Sequence, residues 1–304
     1  METVKVPSSD GIHTLSGRLY LPDGEIKGLF HIVHGMTEHI ARYDRFMQDM
    51  CKQGFAVFGY DNLGHGYTAD NEKELGFIAE KDGYKYLYRD VKVFSDAMRK
   101  RLGRELPYIL MGHSMGSFIV RSAVINGTDP DILIIMGTGG PNPAASFGAA
   151  LAKSIKNRKG SHYYSEKLDR MIFGNYSSRF DPNDPTSWIS TDKETLKKYA
   201  HDPFCTFKFT VSATEDLIRL NMLANSAKWY KEIDKKMPIL LVSGGDDPVG
   251  DYGKGVEKVY KRLIKSGANA ELGIFKGFRH EILNDFSYDD VLKTISDFVN
   301  GNIR

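Results

Sequence analysis

The sequence predicts an α/β protein in which helices cover both faces of a mostly parallel sheet and a mainly helical segment is inserted. Three observations predict this class. Short, nearly continuous apolar runs recur along the chain, as in strands that are buried on both faces. Helix-like stretches alternate with these runs, which favours parallel strands joined by helices. One long interval, residues 142–232, interrupts the alternation.

The predicted strands begin with an antiparallel edge strand, because "IHTLSGRLYL" alternates polar and apolar residues. The buried strands that follow are "GLFHIVHG", "FAVFGYD" (55–61), "YILMGHS" (108–114), "ILIIMGTGG" (132–140) and "PILLVSGGD" (238–246), with "AELGIFKG" as a weaker sixth. Helical patterns lie between the strands, at residues 42–53, 83–101, 116–126, 253–266 and 281–299.

The interval from residue 142 to 232 contains no buried-strand run, and its helical patterns alternate with turn-rich pieces such as "FGNYSSRFDPNDPTSW". Because a structureless loop of that length does not suit a compact protein, we predict an inserted, mainly helical cap. The predicted domains are therefore a first part of the core at 1–141, the cap at 142–232, and a second part of the core at 233–304.

Composition and charge argue against several classes of function. Lys and Arg number 41 and Asp and Glu number 39, so a net charge of +2 gives no electrostatic case for nucleic acid. The two cysteines, Cys51 and Cys205, form neither a disulfide framework nor a metal-binding spacing. The sequence shows no secretory signal, and no apolar run approaches the ~18 residues of a transmembrane helix. A cytoplasmic protein is therefore expected.

The segment "GHSMG" around Ser114 follows a predicted strand and precedes a predicted helix. In this context G-x-S-x-G predicts a nucleophile elbow, a strained turn that exposes the serine hydroxyl at the carboxyl edge of the sheet. Gly112 and Gly116 supply the small neighbours that such a turn needs, and the following helix can stabilise negative charge with its first amides. The alternative is a serine that only caps the helix.

A serine nucleophile needs a base and a third group that orients the base. His280 in "FKGFRHEILND" follows the last predicted strand, which agrees with the chain order serine, acid, histidine that accompanies this elbow. Three candidate acids, Asp246, Asp247 and Asp251, follow the preceding strand. Asp247 is favoured, since Asp246 fits the turn and Asp251 fits a cap of the next helix.

Two backbone amides must hold the oxyanion that forms when a serine attacks a carbonyl group. The residue after the nucleophile, Met115, is predicted to supply one amide. Met36 in "HGM" is predicted to supply the other, because the preceding glycine lets the backbone approach closely.

The other histidines do not predict a metal site. His34 and His39 are spaced H-x4-H, which lacks the helical H-E-x-x-H arrangement, and no cysteine cluster accompanies them. His113 is expected to pack beside the nucleophile, and His65 is expected to brace the loop after the strand that ends at Asp61. Neither a metal nor an organic cofactor is expected.

Five segments, "HGMTEHIARY", "YDNLGHG", "GHSMGS", "GGDDPVGD" and "RHEILND", give the chain a resemblance that covers nearly its whole length. In order and spacing they are similar to the monoacylglycerol lipase and lysophospholipase-like branch of the α/β-hydrolase family, of the serine aminopeptidase S33 type. The resemblance implies an α/β-hydrolase fold with a cap. The site residues that it implies are Ser114, Asp247 and His280 as the triad, Met36 and Met115 as oxyanion donors, and Glu38 and Arg42 as support for the oxyanion loop. A buried ion pair with no further role is the alternative for the last two.

The predicted function is hydrolysis of a carboxylic ester through an acyl-enzyme, with a monoacylglycerol or lysophospholipid as the substrate that the resemblance implies. The same triad could cleave small esters, cleave N-terminal peptide bonds or transfer the acyl group to another alcohol. A non-catalytic ligand-binding protein is disfavoured because all three triad positions are present. The expected partner is a small lipid or ester, with transient contact between the cap and a membrane surface; the sequence predicts no oligomeric state.

Overall fold

The centre of the protein is one eight-stranded sheet. The computed structural model describes residues 1–303. The strands are β1 (Glu2–Pro7), β2 (Thr14–Tyr20), β3 (Gly28–Val33), β4 (Phe55–Tyr60), β5 (Tyr108–His113), β6 (Ile132–Met136), β7 (Ile239–Gly244) and β8 (Ala270–Phe275). Their order is β1-β2-β4-β3-β5-β6-β7-β8. Both pairings of β2 are antiparallel and the other five are parallel, which confirms the predicted fold class.

Helices surround the sheet. Within the described residues they are α1 (Asp44–Lys52), α2 (Gly83–Leu102), α3 (Met115–Val124), α4 (Ala145–Lys159), α5 (Glu166–Phe173), α6 (Lys193–His201), α7 (Val211–Ala224), α8 (Ala227–Glu232), α9 (Lys254–Lys265) and α10 (Tyr288–Asn302). Short 3-10 turns occur at Ile40–Tyr43, Gly66–Thr68, Glu72–Glu74, Tyr176–Arg179 and Ile282–Asn284. None of the helices that the structure describes is both long enough and apolar enough to span a lipid bilayer.

Two hydrophobic cores lie on opposite faces of the sheet. Neighbouring residues of β3 alternate between them, so that Leu29 packs into one core and Phe30 into the other. Helices α2, α3 and α9 cover the first core, and α1 and α10 cover the second. Both faces of the central strands are therefore buried, and this is why their sequences are almost continuously apolar.

The prediction of an edge strand at "IHTLSGRLYL" is wrong, because β2 lies between β1 and β4. The outer strand, β1, pairs antiparallel with β2 and places Glu2 opposite Leu19. Only Val4 and Val6 of β1 are buried. A strand with so few apolar residues gives a weak signal in the sequence. Nevertheless β1 forms the edge of the sheet, and β2, whose sequence alternates, lies inside it.

The predicted C-terminal helix begins later than residue 281. Ile282–Asn284 form a single 3-10 turn, and α10 begins at Tyr288. Between them, Asp285 accepts hydrogen bonds from the hydroxyl of Ser190 (2.9 Å) and the amide of Thr191 (2.6 Å). These contacts with the inserted segment hold the residues before α10 in a loop.

Residues 142–232, all of which the structure describes, contain α4 to α8 and no strand. Helix α7 packs against α3 and α4, and its Leu220 belongs to the same core as α3. Trp229 of α8 is fully buried, with the guanidinium of Arg121 lying 4.3 Å from the centroid of its ring. The cap boundary at residue 232 stays a prediction, while α7 and α8 are packed into the core of the protein.

Asp216 on α7 is buried beside the N-terminus of α2, and its Oδ2 has no hydrogen-bond partner in the described residues. Burial raises the pKa of Asp216 from 3.8 to about 7, although the amide of Tyr84 opposes the shift. Since the folded-state pKa lies above the unfolded one, the contribution of Asp216 to stability becomes less favourable as the pH rises from about 4 to about 7. We therefore expect Asp216→Asn to raise the free energy of unfolding by about 1–3 kcal/mol near pH 8 and by much less near pH 4.

Urea unfolding, followed by circular dichroism at both pH values, measures this difference. The matched control is Asp23→Asn, because Asp23 is exposed and its replacement should leave the free energy of unfolding nearly unchanged. If Asp216→Asn raised the free energy of unfolding equally at the two pH values, the increase could not come from the charge of Asp216.

Candidate active site

Ser114 occupies the sharp turn between β5 and α3. Its dihedral angles are φ 53° and ψ −119°, a conformation that residues other than glycine rarely adopt. A Cβ atom at Gly116 would lie 2.1 Å from the carbonyl oxygen of Val33, and one at Gly112 would lie 2.3 Å from that of Gly116. Because only glycine fits at both positions, these contacts explain the G-x-S-x-G pattern.

Asp247 and His280 form a buried pair. Nδ1 of His280 donates to Oδ2 of Asp247 at 2.8 Å, and the amide of Val249 donates to Oδ1 at 2.9 Å. Of the three aspartates in this loop, Asp247 is fully buried, whereas Asp246 and Asp251 are exposed. The loops after β7 and β8 thus bring the predicted acid and the predicted base together.

The expectation that Asp251 caps α9 is wrong. The N-cap residue is Gly253, and no side chain caps this helix. Asp251 has a positive φ of 49°, whereas an N-cap side chain reaches the helix from extended backbone. Its backbone carbonyl accepts a hydrogen bond from the amide of Lys254 at 3.2 Å instead.

Ser114 and His280 line one cavity of about 750 Å³. The side chain of Ser114 does not cap α3, which removes the alternative role for this serine. In the described residues, the ring nitrogens of His280 form a hydrogen bond with Asp247 and not with Ser114; catalytic hydrogen bonds often tighten only when a substrate binds. The inserted segment contributes Trp188, whose ring centroid lies 5.0 Å from that of His280.

Met36 and Met115 line the same cavity. Met115 is the first residue of α3, so its amide has no acceptor within the helix. Met36 follows Gly35, where an added Cβ atom would lie 2.9 Å from the Cβ of Ser114. The glycine therefore allows the backbone before Met36 to approach the serine, as a second oxyanion donor requires.

Glu38 holds the loop that carries Met36. Its Oε1 accepts hydrogen bonds from the amide of Gly35 (2.5 Å), the hydroxyl of Tyr43 (3.0 Å) and Nδ1 of His113 (3.0 Å). Burial favours the neutral acid, but the hydrogen bond and charge of His113 outweigh it and hold the pKa of Glu38 well below its usual range. Glu38 is thus a charged group in the interior that fixes the turn after β3.

Arg42 joins this loop to the residue after His280. Its guanidinium contacts the carboxylate of Glu281, and its Nε lies 3.7 Å from Oε2 of Glu38. Both carboxylates are buried, and the positive charge of the one arginine compensates the two negative charges in part. Glu38 and Arg42 thus form a buried ion pair, and Glu38 is also bonded to the loop that carries Met36, so the structure contains features of both alternatives that the sequence left open. Through Glu281 the ion pair extends to the His280 loop.

His113 has a contact that the sequence did not reveal. Its Nε2 lies 3.3 Å from the backbone carbonyl of His280, and the centroids of the two rings are 4.7 Å apart. Burial favours a neutral ring, but the carboxylate of Glu38 raises the pKa of His113. Since 167 residues separate His113 from His280, no local pattern marks this contact.

Among residues 1–303, two groups of side chains have possible metal-ligand atoms within 4.8 Å of one another. The first is His39 with Asp202 and Cys205, and the second is His13 with Asp70 and Glu74. In the first group, Nε2 of His39 lies 2.8 Å from Oδ2 of Asp202, which pairs the loop after β3 with the cap. The guanidinium of Arg42 lies 3.8 Å from Sγ of Cys205, where its positive charge opposes a metal ion. We assign this group to packing between the cap and the core.

The inserted segment before α6 is bonded to the loop that carries His280. The amide of Glu281 donates to the carbonyl of Ile189 at 2.8 Å. The guanidinium of Arg279 donates to the carbonyl of Ser190, also at 2.8 Å. Residues on both sides of His280 are therefore bonded to the same short piece of the inserted segment.

A serine on a strained turn between a strand of the sheet and a helix is the arrangement found in the α/β-hydrolases. The family model described as "Serine aminopeptidase, S33" matches residues 24–287. The monoglyceride lipase of Rattus norvegicus is 32% identical over 236 residues, which are 77% of this chain and 70% of the relative. The monoglyceride lipase homolog of Monkeypox virus is 26% identical over 270 residues, 88% of this chain and 86% of the relative.

Among solved structures, a highly thermostable carboxyl esterase from Bacillus coagulans in complex with glycerol has a TM-score of 0.94 and 28% identity, covering 100% of this chain and 99% of that one. The chain belongs to the serine aminopeptidase S33 family of α/β-hydrolases, in the branch that contains the monoglyceride lipases. It is a carboxylic ester hydrolase, as the sequence predicted.

Proposed function

We propose that the protein hydrolyses monoacyl esters of small alcohols, such as monoacylglycerols, with Ser114 as nucleophile, His280 as base and Asp247 as the orienting acid. The observation that carries the assignment is that the elbow serine and the Asp247-bound histidine line the same cavity. The carboxylate of Asp247 can only accept a hydrogen bond, so Nδ1 of His280 carries the proton and Nε2 is left free to act as the base.

In the proposed reaction, Nε2 of His280 takes the hydroxyl proton of Ser114 while the serine oxygen attacks the ester carbonyl. The amides of Met36 and Met115 hold the oxyanion. The alcohol then leaves with the proton from His280, and a water molecule repeats the two steps on the acyl-enzyme. Asp247 keeps the imidazole in the required tautomer and stabilises the imidazolium.

The choice of substrate rests on the cavity and on the relatives. Apolar side chains of the cap line the cavity, among them Ile172 and Phe173, and Leu217 and Ile218 of α7. Its volume of about 750 Å³ lies in the range of sites that enclose one small molecule. Of the two relatives described above, one is named a monoglyceride lipase and the other a monoglyceride lipase homolog. The similar carboxyl esterase was solved in complex with glycerol. A single acyl chain on a small alcohol suits this space.

The cap at residues 142–232 is part of this proposal. Where it covers the cavity, an acyl chain has to thread between cap and core, and each methylene that becomes buried contributes ~0.8 kcal/mol. We expect kcat/KM to rise up to about fourfold for each added methylene and to stop rising where the tunnel ends. A series of p-nitrophenyl esters of increasing chain length measures this, beside monoacylglycerols, lysophospholipids and aminoacyl amides.

Two results would contradict the proposal. Triacylglycerol hydrolysis as fast as monoacylglycerol hydrolysis would show that the cap does not restrict access to Ser114. A rate that is highest on acetate and falls steadily with chain length would show that no acyl tunnel is used, and it would favour a small-ester esterase.

A further inference from the structure

Helix α9 carries a positively charged face on the outside of the protein. Its apolar side, with Val256, Val259 and Leu263, is buried in the core. The basic side chains on the opposite side are all exposed, and they are Lys254, Lys258, Lys261, Arg262 and Lys265. The whole chain has a net charge of only +2, so five cations on one helix face are a local concentration of charge.

These charges are poorly compensated. The only acidic side chain on α9 is Glu257, which pairs with Lys261 at 3.0 Å. No carboxylate of the described residues lies within 4 Å of Lys254, Lys258 or Lys265. Unpaired cations on a surface attract a partner of opposite charge.

The charged face begins at the opening of the catalytic cavity. Lys254 and Lys258 line this cavity and are also exposed, so they border its mouth. Phe147 of α4 and Met171 of α5 line the cavity as well, with exposed fractions of 67% and 54%. The rim of the cavity therefore includes two exposed cations, Lys254 and Lys258, and two exposed large apolar side chains, Phe147 and Met171.

We propose that the α9 face and the mouth of the cavity together dock onto an anionic lipid surface. The cations of α9 attract negatively charged headgroups, and each cation near the surface adds to the free energy of binding. Phe147 and Met171 reach the boundary between the headgroups and the acyl chains. In this orientation the cavity opens toward the lipid, and a single-chain ester enters it without crossing water. The contact extends beyond the cap onto a helix of the core.

The experiment measures the binding of the full chain, carrying Ser114→Ala to prevent hydrolysis, to vesicles of phosphatidylcholine alone or mixed with phosphatidylglycerol. We expect binding to the mixed vesicles only, and release by high salt, because screening weakens contacts between exposed charges. Lys261→Glu with Lys265→Glu should weaken binding by tenfold or more, since one cation near an anionic surface accounts for about fivefold. Both side chains lie outside the cavity.

The matched control is Lys5→Glu with Lys100→Glu, which changes the net charge equally at two exposed lysines of β1 and α2. This control should keep most of the vesicle binding, and the melting temperatures of both double variants show whether they are folded. The proposal is overturned if the two double variants bind equally well. Equal binding to neutral and anionic vesicles would also overturn it, because the apolar cap alone would then carry the contact. Neither outcome depends on catalysis by Ser114.

Discussion

Replacing Ser114 with alanine is expected to lower kcat for p-nitrophenyl esters by ~10⁵-fold or more, because no other group can form the acyl-enzyme. The fold should survive. Alanine fits the positive φ of this turn no worse than serine, and the serine hydroxyl does not cap α3. A fluorophosphonate probe should label the wild-type chain at Ser114 and leave the variant unlabelled, as peptide mass spectrometry can show.

The matched control is Ser122→Ala in the same helix. The hydroxyl of Ser122 donates only to the carbonyl of Phe118 within α3, so its loss should leave turnover and labelling nearly intact. Labelling at a serine other than Ser114, or turnover that survives in Ser114→Ala, would refute the assignment of the nucleophile.

Replacing Asp247 with asparagine is expected to lower kcat by ~10³–10⁴-fold, because it favours the wrong tautomer of His280. An amide nitrogen at this position donates to Nδ1, so the ring proton moves to Nε2 and the base can no longer accept the proton of Ser114. The amide of Val249, which donates to Oδ1 of Asp247 at 2.9 Å, would favour this orientation of the asparagine.

Asp246→Asn and Asp251→Asn are the controls for the acid. Both side chains are exposed, and neither is bonded to His280, so each variant should keep kcat within about tenfold of the wild type. A severe loss in Asp246→Asn with a mild one in Asp247→Asn would place the acid one residue earlier. Melting temperatures separate a catalytic loss from unfolding in all three variants.

The sequence predicted most of the sheet and the residues of the candidate triad because both depend on local patterns. Strands buried on both faces are continuously apolar, and the glycines around Ser114 are required by contacts within a few ångströms of the turn. The chain order serine, acid, histidine then predicted an acid in the loop after β7 and a base in the loop after β8, which are Asp247 and His280. In the structure these two side chains are 2.8 Å apart.

The features that the sequence did not predict depend on contacts between distant segments. The edge position of β1 is set by its pairing with β2, and the late start of α10 is set by the bonds of Asp285 to the inserted segment. His113 and Trp188 lie against His280, yet one is adjacent to the nucleophile in the chain and the other belongs to the cap. Such contacts leave no spacing rule in the sequence.

The bonds between the cap and the His280 loop have a mechanical consequence. Glu281 and Arg279 hold the backbone at Ile189 and Ser190, so lifting this side of the cap would pull the histidine away from Asp247. The position of the candidate base is therefore set from two directions, by Asp247 of the core and by the inserted segment through the residues on either side of His280.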